Sequence, residues 1–182
     1  MTFQTYLPPS DLAPFIEHFW TIRWDEASAQ YYSDEVMHRP HIDVIMSSQQ
    51  SNIPGTFRGE RTCVAAGSGR IIGSRFRLGV FHAFWHGTIT DLQDKVIGFQ
   101  QVIPQIDARY SEHLLALDDR DTIHDLRTLV RVKHPQPDLK IDLINEIITA
   151  IKTDDNLPTV SAVAKAISSS ERWLLPFFQV SR

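Results

Sequence analysis

The spacing of apolar residues changes near residue 106 and separates two kinds of predicted structure. Before this point apolar and polar residues alternate in short runs, and all eight glycines lie there, a pattern that favours strands joined by tight turns. The runs that predict strands are Phe19–Trp24, Ile42–Met46, Cys63–Ala66 and Ile71–Arg77. Each run is shorter than a typical helix. We therefore predict a β-rich domain over residues 1–106.

After Asp107 apolar residues recur every three or four positions, which predicts helices. Two helices are predicted around Leu114–Leu117 and Ile123–Val130. A third carries one apolar stripe and has Asp138 placed to favour its N-terminus. The residues of this stripe are Leu139, Leu143, Ile144, Ile147, Ile148 and Ile151. Residues 107–153 are thus predicted to be a helical extension that packs on the β-rich domain, giving an α+β fold.

Residues 154–182 predict a small helical module. Thr159 is placed to cap a helix that runs to about Ile167, and the serines at 168–170 form a turn. A second short helix follows from Glu171. Two short helices joined by a tight turn are the outline of a helix-turn-helix.

Composition narrows the classes of protein that fit. Hydrophobic residues make up 42% and charged residues 22%, as in folded globular proteins, and the net charge of -4 excludes a basic footprint over the whole chain. The single Cys63 excludes an internal disulfide and a thiolate metal cage. No leader opens the sequence and no apolar run reaches the roughly 20 residues that cross a bilayer. We expect a cytoplasmic protein with no membrane partner.

Several segments resemble AraC-type transcriptional regulators. Val160–Phe178 resembles their first helix-turn-helix through Ser170, Arg172, Leu174 and Phe178. Further upstream, the matching segments are Tyr6–Pro9, Leu12, Phe15, Phe19–Trp20, Gly73–Gly79 and Leu92–Asp94, which resemble the N-terminal domain of one branch of these regulators. The resemblance implies a barrel-like (cupin-like) sensor or dimerisation domain. It also implies DNA contacts from Ser170, Glu171, Arg172 and Gln179.

Departures from the family pattern predict that this chain alone does not bind DNA specifically. Pro176 lies where the family has a second arginine, and a proline past the first turn costs a helix roughly 3 kcal/mol. The family has two helix-turn-helix halves, and these 182 residues include only the first. Residues 156–182 also carry few positive charges, so phosphate contacts are few. DNA is therefore expected as a partner only together with a second helix-turn-helix.

Aromatic side chains in the β-rich part are expected to form the core and, in part, an effector cavity. Trp20, Phe76 and Trp85 are candidates to line it, with Arg75 or Arg77 as the polar anchor. Because side chains alternate along a strand, one face of this segment points inward, and the sequence leaves open which arginine serves.

Histidines offer the remaining candidate chemistry. His82 and His86 are four residues apart, so on an α-helix they would share a face, and His41 could add a third metal ligand. The pattern is weak, because Ala83 stands where metalloproteases have glutamate. Cys63 lies among apolar neighbours that favour an inert thiol, and no hydrolase motif is present. We expect no enzyme and no cofactor.

The sequence as a whole predicts the effector-sensing or dimerising region of an AraC-type regulator. Its expected partners are DNA, an unknown small-molecule effector and a second copy of the chain. The alternative is a β-barrel that binds a small ligand or a metal and has no role on DNA.

Overall fold

A computed structural model describes residues 1–25, 31–34, 41–47, 51–55, 61–64, 67–104, 106–133, 135–153 and 159–166. The chain divides into two compact units, Met1–Pro137 and Asp138–Arg182. This division falls inside the segment 107–153 that the sequence analysis treats as one helical extension. The two units are described separately below.

The first unit is built on a six-stranded antiparallel sheet with a separate pair of strands. In chain order the strands are β1 (Thr2–Tyr6), β2 (Ile16–Trp24), β3 (Tyr31–Asp34), β4 (Asp43–Ser47), β5 (Asn52–Pro54), β6 (Arg61–Val64), β7 (Gly69–Phe76) and β8 (Val96–Gly98). The sheet has the order β1-β2-β7-β4-β5-β8, and β3 pairs with β6 in a two-stranded sheet. The four predicted strands correspond to β2, β4, β6 and β7.

The prediction of an α+β fold is confirmed, but the six-stranded sheet is not closed, so the barrel-like form was wrong. In the part of the chain that the structure describes, β1 pairs with β2 alone and β8 pairs with β5 alone. The β8 strand has three residues and is followed at once by a 3₁₀ helix at Phe99–Gln101, so it is too short to continue the ladder toward β1.

The two helices of the first unit are α1 (Ala108–Ala116) and α2 (Asp119–Val132). Each begins with an aspartate whose carboxylate accepts a backbone N–H, as helix N-termini require. Asp107 accepts from Tyr110 N at 2.9 Å, and Asp118 Oδ1 accepts from Asp121 N at 2.9 Å. These caps fix the start of both helices.

Successive residues of the central strand β7 lie on opposite sides of the sheet and define these two sides. Arg70, Ile72, Ser74 and Phe76 point to one side, together with Val44 and Met46 of β4, and line or border the core formed with α2. We call this the helix side. Gly69, Ile71, Gly73 and Arg75 point to the opposite side, which we call the far side; cross-strand pairing places His18, Trp20 and Asp43 there.

The second unit contains α3 (Leu139–Thr153) and α4 (Val160–Ala166). Asp138 Oδ1 accepts from Lys140 N at 2.9 Å, which confirms its predicted role at the start of α3. Thr159 Oγ1 accepts from Ala162 N at 3.1 Å, as predicted for the cap of α4. Ile147 of α3 is buried with Val163 and Ala164 of α4, and Leu143 packs partly buried against them.

Not all of the predicted apolar stripe of α3 is buried. Leu139 is 84% exposed and Ile151 is 42% exposed, whereas Ile147 is buried. The second helix of the predicted helix-turn-helix, from Glu171 onward, lies outside the described residues.

Candidate ligand site

Three side chains on the far side of the sheet form a polar cluster around one carboxylate. Arg75 Nε donates to Asp43 Oδ1 at 3.0 Å, and Arg75 Nη2 donates to Asp43 Oδ2 at 2.9 Å. Trp20 Nε1 donates to the same Oδ1 at 3.4 Å. Asp43 and Arg75 are direct partners across the β4–β7 ladder, so the register of the sheet produces this two-point ion pair.

A glycine in β7 makes room for the indole of this cluster. Gly73 lies opposite Trp20 in the β2–β7 ladder, and a Cβ atom at this position would lie 2.2 Å from Trp20 Cε2. The Trp20 indole therefore packs against the backbone of β7, and the residue is only 8% exposed. Gly69 accommodates Trp24 in the same way, with the nearest indole carbon also at 2.2 Å.

Three further ionisable side chains lie on the same strands or beside them. His18 is the cross-strand partner of Arg75, and His41 Nδ1 lies 3.6 Å from Glu17 Oε2. Burial, and then the positive charge of Arg75, lower the pKa of His18 from its ordinary value. We therefore expect a neutral imidazole beside the Arg75–Asp43 pair at neutral pH.

The ion pair is the part of the cluster that solvent reaches. The side chains of Arg75 and Asp43 are 22% and 18% exposed, so the ion pair is partly accessible to solvent. It presents a guanidinium and a carboxylate with the His18 imidazole on the same side of the sheet, whereas the Trp20 indole beside them is buried.

Of the five residues predicted to line or anchor an effector cavity, Trp20 and Arg75 meet in this cluster. Phe76 points to the helix side, where its ring packs edge-on against Phe81 and Phe84 at centroid distances of 5.1 and 4.9 Å. Arg77 Nε donates to Ala13 O at 2.7 Å, and Trp85 Nε1 donates to Thr88 O at 3.2 Å.

Phe76 does line a cavity, but that cavity is small. It measures about 20 Å³ and lies between the helix side of the sheet and α2. Sites for drug-sized ligands measure roughly 300 to 1,000 Å³, so an effector does not fit here without rearrangement. The lining residues are Val44, Met46, Ile53, Ser74, Phe76, Phe81, Phe84, Phe99, Val102, Ile103, Leu126, Leu129 and Val130.

The histidine pattern does not produce a metal site in the described ranges. His82 lies in a 3₁₀ helix, Val80–Ala83, and its Nδ1 is 2.6 Å from Gly79 O. His86 lies beyond the end of that helix, so the α-helical spacing assumed for this pair is absent. Among the described residues, no group of three His, Cys, Asp or Glu side chains, including His41, could hold a metal ion.

A second polar cluster, on the helix side, was not predicted from the sequence. The Arg70 side chain is 7% exposed, and its Nη1 donates to the carbonyls of Leu114, Leu115 and Leu117 at 3.3, 3.1 and 2.6 Å. Its Nη2 donates to Asp119 Oδ1 at 2.5 Å and to Thr122 Oγ1 at 3.1 Å. Arg70 therefore binds the end of α1 and the start of α2 from the middle of the sheet.

Asp119 collects further donors from the first two strands. Arg23 Nη2 donates to it at 2.6 Å, the Tyr6 hydroxyl at 3.0 Å and the Thr21 hydroxyl at 3.3 Å. Burial raises the pKa of this carboxyl, but the donors Arg23 and Tyr6 and the charge of Arg70 outweigh it and hold the pKa below its ordinary value. The cluster therefore joins the start of α2 and the end of α1 to the sheet.

The residues proposed for DNA contact, Ser170, Glu171, Arg172 and Gln179, lie outside the described residues, so their arrangement is not part of this structure. In the described ranges, no helix combines the length and the apolar character needed to span a membrane.

Comparison with known proteins gives one match. A model of the family described as "Domain of unknown function (DUF6597)" matches residues 4–98, which is more than half of the chain. The matched segment includes Trp20, Asp43 and Arg75 as well as Arg70. No curated protein matches, and no solved structure matches.

Proposed function

This chain belongs to the family described as a domain of unknown function, DUF6597, and from its resemblance to AraC-type regulators we propose that it is the regulatory region of such a transcription regulator. In this proposal the unit Met1–Pro137 senses an effector or dimerises. The unit Asp138–Arg182 carries the first helix-turn-helix, which does not bind DNA specifically without a second one.

The observation that carries the proposal is the arrangement of α3 and α4 in a unit of their own. Thr159 caps a short helix rich in small residues, and Val163 and Ala164 of that helix pack against Ile147. In a helix-turn-helix two helices are joined by a short turn, and α4 takes the place of the first of them. This agreement supports the resemblance of Val160–Phe178 to the AraC-type module.

The effector contact in this proposal is the cluster of Trp20, Asp43 and Arg75. Its partly exposed ion pair, with Arg75 and Asp43 held by the buried Trp20, is suited to a ligand with a charged or polar group. Regulation requires that the effector bind two arrangements of the protein with different affinity, because a ligand with equal affinity for both shifts nothing.

DNA binding by the chain, with and without a second helix-turn-helix, tests the proposal. Labelled DNA from upstream of its own gene is titrated with this chain and with a version to which a second helix-turn-helix has been added. We expect specific retardation by the extended version and only weak, salt-sensitive binding by the 182-residue chain.

An Arg172→Ala variant of the extended version is the control for the recognition segment, because the resemblance gives Arg172 a DNA contact. It is expected to lose specific binding. Failure of the extended version to prefer its own upstream DNA over unrelated DNA contradicts the regulator function. Binding of a small molecule to such a protein would then favour a ligand-binding protein with no role on DNA.

A further inference from the structure

The first strand of the sheet forms an edge without the features that normally prevent pairing between chains. The five residues of β1 contain no charge and no proline, and the first charged side chain of the sequence is Asp11. In the described part of the chain, β1 pairs with β2 on one side only. An exposed edge of this kind is a template for a strand from another molecule.

The opposite edge of the sheet differs in this respect. The β8 strand has only three residues and is directly preceded by Asp94 and Lys95. Short edge strands with adjacent charges are the usual protection against pairing. The two edges of one sheet thus differ, and only β1 combines sufficient length with an uncharged sequence.

Exposed apolar side chains are concentrated at the β1 edge. Met1, Phe3 and Leu7 are 54%, 59% and 81% exposed, and all three lie within or beside β1. A strand from a second molecule would cover part of this surface. Clustered exposed apolar side chains are typical of interaction sites.

We propose that two copies of this chain dimerise through antiparallel pairing of their β1 strands around a two-fold axis at Gln4. The partner is a second copy because an uncharged strand pairs with itself without placing like charges opposite each other. The register that uses all five residues places Gln4 opposite Gln4 of the second copy and Phe3 opposite Thr5 of the second copy. The two sheets then form one continuous sheet that ends at β8 on both sides.

This inference rests on the dimerising role in the proposed function and assigns it a surface. Because the contact consists of one short strand and three apolar side chains, it belongs to the small, weak class of interfaces. We expect a dissociation constant in the micromolar range, at the weak end for protein complexes.

Sedimentation velocity of the full chain over a range of concentrations tests the surface. Phe3→Lys and Thr5→Lys each place a charge on the β1 edge, and we expect each to weaken association by about tenfold or more. Val96→Lys is the matched control: it places the same charge on the opposite edge at a residue that is 40% exposed, and association should not change. Far-UV circular dichroism verifies that all three variants remain folded.

Disulfide trapping tests the register. In a Cys63→Ser background, Gln4→Cys should form a linked dimer readily, because directly opposed residues of antiparallel strands lie about 4.5 to 5.5 Å apart between Cα atoms, within disulfide range. Thr5→Cys lies off the two-fold axis and should link much more slowly. As a control, the rate of disulfide formation is measured for the same variants in urea at a concentration that unfolds them, which gives the rate due to random collision of the chains.

A chain that remains monomeric at about 100 µM overturns the inference, since that is well above the expected dissociation constant. The inference is also overturned if the chain dimerises but Phe3→Lys and Thr5→Lys change the dissociation constant of the dimer no more than Val96→Lys does. These outcomes are independent of the DNA titration. A protein that binds its upstream DNA but dimerises elsewhere retains the regulator function and loses only this surface.

Discussion

Arg70 is the residue whose environment differs most from what its chemistry suggests. A guanidinium is seldom buried unless it is paired, and Arg70 is buried with five acceptors around its two terminal nitrogens. Three of these acceptors are carbonyls at the end of α1, which a helix cannot satisfy internally. The residue therefore completes a helix end and neutralises Asp119 at the same time.

Replacing Arg70 with methionine is expected to lower the free energy of unfolding by about 3 kcal/mol. The loss leaves carbonyls of α1 without their charged donor in a buried site. Asp119 retains Arg23 and Tyr6, which keeps the cost at the lower end of the range for a broken buried ion pair. Urea unfolding followed by circular dichroism measures the change.

The matched control is Arg131→Met, because Arg131 also pairs with an aspartate but does so at the surface, through two hydrogen bonds to Asp11. The Arg131 and Asp11 side chains are 44% and 53% exposed. Solvent screening makes such pairs weak, so little change in unfolding is expected. Equal losses in the two variants would contradict the role assigned to burial at Arg70.

His18 gives the fold a specific dependence on pH. Its pKa is lowered in the folded protein by burial and then by Arg75, so the unfolded chain binds a proton more readily than the folded chain. Neutral His18 therefore causes no loss in the free energy of unfolding above the ordinary histidine pKa of 6.5. As the pH falls below that value, the unfolded chain takes up the proton first and the free energy of unfolding decreases. We expect stability to decrease between about pH 7.5 and pH 5.5.

His18→Gln should flatten this slope, because glutamine does not titrate. Thermal unfolding at several pH values is the measurement, and His86→Gln, at an exposed position, is the control. An unchanged slope in His18→Gln would show that another group produces the pH dependence.

Sequence reasoning reached some of these residues and not others, for physical reasons. Trp20 and Arg75 could be named because an aromatic and a cation stand out in predicted strands, but their common partner Asp43 depends on the β4–β7 register. One sequence signal indicates Arg70: by alternation it lies on the same side of the strand as the apolar Ile72 and Phe76, where an unpaired charge would not be buried. Its acceptors lie more than forty residues away along the chain, and no local pattern indicates them.

Helices were the elements whose presence the sequence predicted best. Apolar spacing is a local property, and each of α1 to α4 lies where it predicts a helix; Asp138 and Thr159 lie at the predicted starts of α3 and α4. Strands of three residues, β5 and β8, are too short to show alternation. The prediction that His82 and His86 share a face of an α-helix was wrong, because spacing alone does not distinguish an α-helix from a 3₁₀ helix. The 3₁₀ helix follows Gly79, whose φ is 73°.

The start of α2 offers a test of the capping interaction. Asp118→Ala removes the acceptor of the Asp121 amide, and we expect a loss of about 1 kcal/mol in unfolding free energy. Asp118→Asn keeps an acceptor at the same place and should retain most of the stability. Chemical unfolding of the two variants separates capping from a general effect of removing this side chain.

For the whole molecule, the division at Pro137 predicts that the first unit folds by itself. All strands of the six-stranded sheet, both polar clusters and helices α1 and α2 lie within residues 1–137. A chain of residues 1–137 is expected to retain cooperative thermal unfolding and the tryptophan fluorescence of a folded protein.

Circular dichroism and fluorescence during heating check this expectation against the full chain. A broad, non-cooperative transition in residues 1–137 would contradict it. In that case the core of the first unit requires the remaining residues, and the two units are not independent.

The pairing of β2 with β7 at the centre of the sheet has a consequence for the speed of folding. Trp24 and Gly69 are the paired residues of these two strands that lie nearest along the chain, and their pairing closes a long loop. The conformational entropy of that loop is lost before the other pairs of the ladder form contacts. The carbonyls at the end of α1 receive their guanidinium only after β7 is in position. Because its central contacts join distant parts of the chain, the first unit should fold in about milliseconds to seconds rather than microseconds.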